Sequence, residues 1–163
     1  MPRASPAAKK GSATQNISEL DYDLLPGLVG YQLRLTQLAY FSDFAKSVDD
    51  PAMSPGRFGV LVLIGSNPGL TQSRLALATH LDRSTMVAVI DMLQKRGLVE
   101  RRATPLDRRS NALWLTEPGK KLLGNLKRRV KHHDERLASA IGSGSSGELI
   151  AMLERIRASM AAD

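Results

Sequence analysis

The feature that most constrains the fold of this chain is a pair of short helical segments joined by a tight turn. The first, TQSRLALATHL, opens with Thr71, a good N-cap. Its apolar spacing directs Leu75, Ala78 and Leu81 inward. The second, RSTMVAVIDMLQKRG, follows Asp82, a second capping residue, and has an apolar stripe of Met86, Val89, Ile90 and Leu93. Two such segments predict a helix-turn-helix whose second helix has an outward face free for recognition.

A β-hairpin with an arginine-rich tip follows directly. LVERR and SNALWLT have strand character, and the tip between them, around ATPLDRR, contains the turn-forming Pro105. The ten residues RRATPLDRRS hold four arginines and one aspartate. Positive charge at a projecting tip suits contact with an anionic groove much better than it suits catalysis.

Amphipathic helices flank this central unit. Residues 25–48 show helical apolar spacing, and Ser54 caps a second helix that begins at about Pro55, although its VLVLI would also suit a short buried strand. Thr116 caps a long helix, and ELIAMLERIRASM forms a last helix after the flexible stretch GSGSSG. The order of elements predicts a mainly α fold with a small β-hairpin wing, a winged helix-turn-helix flanked by N- and C-terminal helices.

The apolar stripes of the terminal helices have no large neighbour within the chain. A second copy of the protein would cover them, so we predict a homodimer; the alternative is an intramolecular cluster of three helices. The predicted organisation is a disordered basic tail over 1–16 and an N-terminal helix for dimerisation over 17–50. The winged helix-turn-helix follows over 51–116, and the C-terminal dimerisation helices over 117–163.

The charge is concentrated in one third of the chain. Fourteen basic and seven acidic residues lie between Asp82 and Arg136, which accounts for the whole net charge of +7. A confined basic field indicates a polyanionic partner, nucleic acid in the first place and an acidic membrane in the second. Residues 120–136 taken alone are better interpreted as a solvated helix surface.

The sequence lacks the motifs that indicate several classes of function. The chain has no cysteine, and the adjacent pair His132 and His133 is interpreted as a surface pair, so we expect neither a metal site nor a redox thiol. Nucleophile-elbow, Walker-type, zinc-protease and paired-carboxylate motifs are missing, so we expect no enzyme and no cofactor. Without a secretory signal or a bilayer-spanning stretch, we expect a cytoplasmic, nucleoid-associated protein with no membrane partner.

The run from the second helix through the hairpin resembles the MarR family of bacterial regulators. The matching pieces are Ser84-Thr85, Asp91-x-Leu93, Lys95-Arg96-Gly97-Leu98-Val99, Asp107-x-Arg109 and Leu115-Thr116-x-x-Gly119. They cover the central third of the chain, and their order and spacing together are specific. The resemblance implies a ligand-responsive, sequence-specific transcriptional regulator, usually a repressor, that binds double-stranded DNA. The alternatives are a constitutive architectural DNA-binding protein without a ligand, and an RNA-binding winged helix.

The resemblance also implies roles for the wing. In this family the wing follows the minor groove, and the arginine of the Asp-x-Arg motif enters it. That residue is Arg109 here, with Asp107 orienting the wing through an ion pair. A narrow minor groove has an enhanced negative potential, which a guanidinium is suited to occupy. Arg108, together with Arg101 and Arg102, would contact phosphates or hold the wing; for Arg101 and Arg102 an ordinary solvated side chain is an equal alternative.

The recognition helix departs from the family's frequent pattern, because Val87 and Ala88 stand where many relatives have Thr-Arg. These two side chains cannot donate hydrogen bonds, but they can pack against thymine methyl groups. We therefore expect base contacts from Arg83, Ser84 and Thr85, with apolar contacts from Val87 and Ala88. Phosphate contacts are expected from Ser73 and Arg74. A dimer implies a pseudopalindromic operator with half-sites about 10 bp apart.

Family members release DNA when a small molecule binds between the dimerisation helices and the winged domain. The resemblance therefore implies a ligand crevice at the helix over 17–50 and DNA binding by the domain over 51–116. The aromatic and cationic residues expected there are Tyr31, Arg34, Tyr40, Phe44, Arg57 and Phe58. Their mixture suits a small anionic aromatic effector, either an aromatic acid or an aromatic acyl-coenzyme A thioester. The alternative for the aromatic residues is ordinary core packing.

Overall fold

The computed structural model describes residues 20–104, 107–142 and 144–160, with the backbone alone for 104 and 107–111. The tail predicted over 1–16 lies outside the described residues. The chain divides into two compact units, one that ends at Gln37 and one that begins at Leu38. The described part of the first unit contains a 3-10 turn, Leu25–Gly27, and the first part of a long helix.

Six α-helices and three short strands make up the described chain. Helix α2, Pro55–Ser66, contains VLVLI, so the strand alternative for that segment is wrong. Ser54 caps α2 by accepting a hydrogen bond from the Arg57 amide. The other helices are α1 Val29–Val48, α3 Gln72–Thr79, α4 Arg83–Lys95, α5 Glu117–Ile141 and α6 Ser145–Met160.

Side-chain caps define the helix-turn-helix as predicted. Thr71 caps α3 and Asp82 caps α4, each by accepting a backbone N–H from the first turn of its helix. Between them His80 adopts a left-handed conformation at φ 53°, which lets the chain reverse in a few residues. Arg96, at the end of α4, forms an ion pair of 2.6 Å with Asp50 that ties this helix to the α1–α2 loop.

The wing is an antiparallel hairpin of β2, Val99–Thr104, and β3, Asp107–Leu115. Strand β1, Leu70–Thr71, adds to the other edge of β3, which gives the order β1-β3-β2. The predicted tip around ATPLDRR was too long, because the backbone of β3 is already paired at Asp107, opposite Thr104. A register irregularity between Ala103 and Thr104 accompanies this pairing.

The core of the second unit is formed by apolar side chains from α1 to α5 and from the sheet. Phe44, Ile64 and Leu75 are fully buried, and the α4 stripe packs among them with Met86 and Ile90. In α3 the inward pair is Leu75 with Ala76, and the prediction that Ala78 faces inward was wrong. The core contacts the side of this eight-residue helix on which Ala76 lies, and Ala78 falls outside that arc.

The start of α5 is packed directly on the start of β2. Thr116 caps α5 through the Gly119 amide, as predicted, and its hydroxyl also donates to the Gly97 carbonyl at 2.6 Å. A Cβ atom at Gly119 would lie 2.0 Å from the Leu98 carbonyl oxygen. Only glycine permits this approach of helix to strand, so the residue fixes the base of the wing.

The last two helices expose much of their apolar surface. In α5 Leu123, Leu126 and His133 are buried, whereas Leu137 and Ile141 are exposed. In α6 no residue is buried. The flexible break predicted over GSGSSG was too long, since α6 already begins at Ser145. Within the described ranges, no helix is both long and apolar enough to cross a membrane.

Candidate nucleic-acid interface

Helix α4 has two contrasting faces. Met86, Ile90 and Leu93 are fully buried, and Val89 is partly buried against the same core. The opposite face is exposed and consists of Arg83, Ser84, Thr85, Val87 and Ala88, the five residues predicted to contact bases. A helix anchored by one face and bare on the other is suited to insertion into a groove.

Asp82 organises the exposed start of α4. Its carboxylate accepts hydrogen bonds from the Ser84 hydroxyl at 2.5 Å, the Thr85 hydroxyl at 2.6 Å and the Thr85 amide at 2.9 Å. The Ser84 hydroxyl, followed by the Thr85 groups, holds the pKa of Asp82 far below its usual range. The carboxylate is therefore ionised at any ordinary pH.

This arrangement determines what the two hydroxyl groups offer to a partner. A hydroxyl has one proton and two acceptor positions, and an ionised carboxylate can only accept. The protons of Ser84 and Thr85 are therefore directed at Asp82. Their oxygens remain as acceptors, which suits the exocyclic amino group of adenine or cytosine better than a phosphate oxygen.

Helix α3 presents a second exposed surface. Ser73 and Arg74, the predicted phosphate contacts, are exposed in its first turn, next to the cap formed by Thr71. Leu77, on the same helix, leaves 77% of its surface exposed, an unusual value for leucine. The predicted phosphate contacts thus lie on an accessible part of the helix-turn-helix.

Arg101 joins the wing to the recognition helix. Its guanidinium donates to Asp91 at 2.6 Å and to Gln94 at 2.5 Å, and both partners lie on α4. Of the alternatives for Arg101, which are phosphate contact, support of the wing and a solvated side chain, the structure favours support of the wing. The interaction fixes the wing relative to α4, so the two elements form one surface.

Arg102 and the three tip residues have different surroundings. Arg102 pairs with Glu100 and stacks over the Trp114 ring at 4.8 Å, on the face of the hairpin opposite to that of Arg101. Asp107, Arg108 and Arg109 lie at the start of β3. Their side chains are outside the described residues, so their predicted roles remain predictions.

A cluster of aromatic rings lies between α1, α2 and α5 in the second unit. It brings together three of the six predicted ligand residues, Tyr40, Phe44 and Phe58, with ring centroids 6.0 Å apart for Tyr40–Phe44 and 6.2 Å for Phe44–Phe58. Phe44 is fully buried in the core, which is the ordinary packing role for this residue. Burial, with a contribution from Asp134, raises the pKa of Tyr40, so its phenol remains a hydrogen-bond donor.

His133 belongs to the same cluster and was not among the predicted ligand residues. Its ring lies edge-on to Tyr40 at 5.0 Å and to Phe44 at 5.8 Å. Its Nε2 atom is 3.1 Å from Asp43, whereas Nδ1 is buried without a hydrogen-bond partner among the described residues. The interpretation of the adjacent histidines as a surface pair was right for His132 and wrong for His133, because α5 turns the latter inward. An imidazole on an apolar stripe was the signal for this site.

The remaining predicted ligand residues have other settings. Arg57 is partly buried, and its guanidinium donates to the Ala52 carbonyl oxygen at 2.7 Å, which secures the loop before α2. Tyr31, half-buried, and Arg34, exposed, lie in the first unit. Among the described residues, no group of three or more His, Asp or Glu side chains is placed to hold a metal ion.

Comparisons with known proteins agree with this architecture. Residues 53–110 match the MarR family. The chain is 35% identical to a putative transcriptional regulatory protein for the hcr operon of Thauera aromatica, over 88% of this chain and 87% of that protein. The transcriptional repressor CouR bound to a 23-mer DNA duplex has 37% identity and a TM-score of 0.80, covering 85% of this chain and 99% of the other.

A second structure of CouR, bound to p-coumaroyl-CoA, has 34% identity and a TM-score of 0.79, with 85% of this chain and 98% of the other covered. These similarities extend well beyond the winged domain, into the flanking helices. The chain therefore belongs to the MarR family and has its winged helix-turn-helix fold.

Proposed function

We propose that this protein is a homodimeric transcriptional repressor that leaves a pseudopalindromic operator when an aromatic acyl-CoA thioester binds. The observation that carries the proposal is the single surface made by the exposed face of α4 and the wing, which Arg101 locks together at 2.5–2.6 Å. The similarity to a repressor bound to duplex DNA supports the same conclusion. The proposed role in DNA binding rests on this surface. The proposed class of effector rests on the aromatic cluster.

Exposed apolar surface supports a dimer. In the first unit Leu20, Leu24 and Val29 each expose more than half of their surface. In the second unit, α1, α5 and α6 expose the apolar side chains Leu38, Phe41, Leu137, Ile141, Leu149, Ile150, Met152 and Met160. Surfaces of this kind on terminal helices are characteristic of interfaces between copies. Two winged heads would then contact half-sites about 10 bp apart.

The aromatic cluster supports an aromatic effector. Tyr40 offers a protonated phenol, and His133 offers a ring nitrogen that has no partner in the described part of the chain, beside the rings of Phe44 and Phe58. Few polar groups within an apolar wall are the usual composition of a small-molecule site. A relative that binds p-coumaroyl-CoA makes an aromatic thioester the first choice.

Release requires the effector to bind the free dimer more tightly than the DNA-bound dimer. Helices α1 and α5 contribute to the aromatic cluster, and α5 begins at the base of the wing through Gly119. A ligand that changes the packing of α5 on α1 would therefore change the position of the wing. The two winged heads would no longer match the spacing of the half-sites.

The first prediction concerns the wing. In a gel-shift titration on the duplex upstream of the protein's own gene, with excess non-specific DNA, the wild-type protein should give a discrete shifted band. Arg109→Ala should weaken binding by about 1–3 kcal/mol, roughly 5- to 150-fold, because it removes a cation from the minor groove. Arg155→Ala, an equal loss of charge on exposed α6, is the matched control and should bind as wild type does.

If both arginine variants bind the duplex equally weakly, the binding depends only on general charge attraction. Competitor-sensitive smearing with the wild-type protein would point to an architectural DNA-binding protein instead. Either result contradicts the proposed operator recognition.

The second prediction concerns the effector. Titration of p-coumaroyl-CoA into the complex should release the duplex, and the affinity of the thioester should be lower for the complex than for the free protein. Thermodynamic linkage requires the thioester to lower the affinity for the duplex by the same factor by which the duplex lowers the affinity for the thioester. Such factors are typically 5- to 150-fold. Calorimetry measures the affinity of the protein for the thioester with and without the duplex, and its affinity for the duplex with and without the thioester. Identical thioester affinities in the two states would refute ligand-controlled release.

A further inference from the structure

A groove with strong positive charge lies between α1 and α5, outside the winged surface. Its basic side chains are Lys46 on α1 and Arg128, Arg129, His132 and Arg136 on α5. We call it the basic groove. Its volume of about 520 Å³ lies within the range of small-molecule sites. We propose that the basic groove holds the phosphorylated nucleotide end of the acyl-CoA effector, an inference that rests on the proposed function.

Helix geometry brings these charges together. On α5, Arg128, Arg129, His132 and Arg136 are separated by one, three and four residues, so one face of the helix carries them. On α1, Lys46 shares a face with Asp43 and Ser47 in the same way, and these residues line the groove as well. The packing of α1 on α5 therefore forms a basic surface from two distant parts of the chain.

The acidic residues nearby leave much of this charge unmatched. Among the described residues, Asp43 is the one acid that lines the groove, and it already contacts Arg136 at 2.8 Å and His133 at 3.1 Å. Arg129 and His132 have long contacts to exposed acids, of 3.7 Å to Asp49 and of 3.8 Å to Glu135, whereas Lys46 has no acidic partner among the described residues. Arg128 donates to the neutral Asn125. Like charges held on one surface repel one another, and a bound anion with several charges would relieve that repulsion.

The groove adjoins the aromatic cluster. Asp43 lines the groove, and its Oδ2 atom contacts both Arg136 of the groove and the buried imidazole of His133. His133 in turn lies against the rings of Tyr40 and Phe44. A ligand with an aromatic group at one end and phosphates at the other would match this sequence of apolar and cationic surfaces. An aromatic acyl-CoA thioester has that composition, whereas a free aromatic acid has only the first part.

A second cavity with basic residues offers a weaker match. It has a volume of about 450 Å³ and lies beside Trp114, with Arg102, Lys120 and Lys127 on its walls. Arg102 is paired with Glu100, and Lys120 is paired with Glu117 at 2.6 Å. Acidic partners therefore already match two of its three cations, so this cavity serves as the control region.

The test compares two double variants that remove equal charge from α5. Arg128→Gln with Arg129→Gln alters the basic groove, and Lys120→Gln with Lys127→Gln alters the control cavity. Calorimetry measures the binding of p-coumaroyl-CoA, free coenzyme A and p-coumarate. We expect the groove variant to bind the thioester about tenfold or more weakly and to lose coenzyme A, because charge-assisted hydrogen bonds to phosphate are removed. Its affinity for p-coumarate should be unchanged, and the control variant should bind all three ligands as wild type does.

Other outcomes overturn the inference. Equal weakening by both variants would mean a general field effect, and no change in the groove variant would place the phosphates elsewhere. If sedimentation shows that the groove variant becomes monomeric, the groove is an interface between protomers. The proposed function fails separately, if neither the thioester nor the acid releases operator DNA from the wild-type protein. In that case the binding of coenzyme A to the two variants still decides the role of the groove.

Discussion

Replacement of Gly119 by alanine should destabilise the fold by about 3 kcal/mol or more, the largest single effect that we expect at a glycine. The added Cβ would lie 2.0 Å from the carbonyl oxygen of Leu98 and 2.9 Å from its carbonyl carbon. Both atoms belong to the backbone, so no side-chain rotation can relieve the clash. The start of α5 must move away from β2, which also breaks the hydrogen bond from Thr116 N–H to Leu98.

Urea denaturation followed by circular dichroism measures this effect, and α5 contains its own control. Gly124 has no atom within 4 Å of an added Cβ, so Gly124→Ala should stabilise the protein by about 0.5–1 kcal/mol through helix propensity. If Gly119→Ala lowers the stability and Gly124→Ala raises it, the close contact of α5 with β2 is established. Stabilisation by both substitutions would show that this contact is looser than the structure indicates.

The second large effect separates the two faces of α4. Ile90 is fully buried, so Ile90→Ala should cost about 2–5 kcal/mol of stability, the usual result of removing a large side chain from a core. Val87 leaves 43% of its surface exposed on the opposite face. Val87→Ala should change the stability by less than about 0.5 kcal/mol, since it removes little packing.

For operator affinity we expect the opposite: Val87→Ala should have a larger effect than Ile90→Ala. If Val87 packs on a thymine methyl group, Val87→Ala should weaken operator binding by about 1 kcal/mol, roughly fivefold. For the Ile90 variant, affinity must be measured at a temperature where denaturation shows it to be folded, and it should then be close to that of wild type. Unchanged DNA binding with Val87→Ala would remove this residue from the recognition surface.

Much of the winged domain was predictable because its signals are local in sequence. A helix N-cap requires only a side chain that can accept a hydrogen bond from the backbone N–H two or three residues later. Thr71, Asp82 and Thr116 are examples. The apolar stripe of α4 depends on periodicity within one helix, and it was buried as expected. The arginine-rich hairpin followed from strand character and turn residues within a short stretch, although its pairing extends closer to the tip than the residue types indicated.

Sequence reasoning missed several contacts that packing makes between distant helices. Arg136 contacts Asp43 across 93 positions, and no local pattern shows that this face of α5 meets α1. Residues 120–136 considered alone had only the pattern of a solvated surface. For the same reason His133 was interpreted with its exposed neighbour, although it contacts Asp43 and Tyr40 across helices.

The amino-acid sequence by itself determined the order of the helices, the wing and the face of α4 that is exposed, since each depends on interactions over a few residues. Tertiary structure alone decided which faces of α1 and α5 meet, and with them the basic groove and the burial of His133. It also decided that α5 approaches β2 so closely that only Gly119 fits. Periodicity tells which side of a helix is apolar, but the neighbour that covers this side is chosen by the packing of the whole domain.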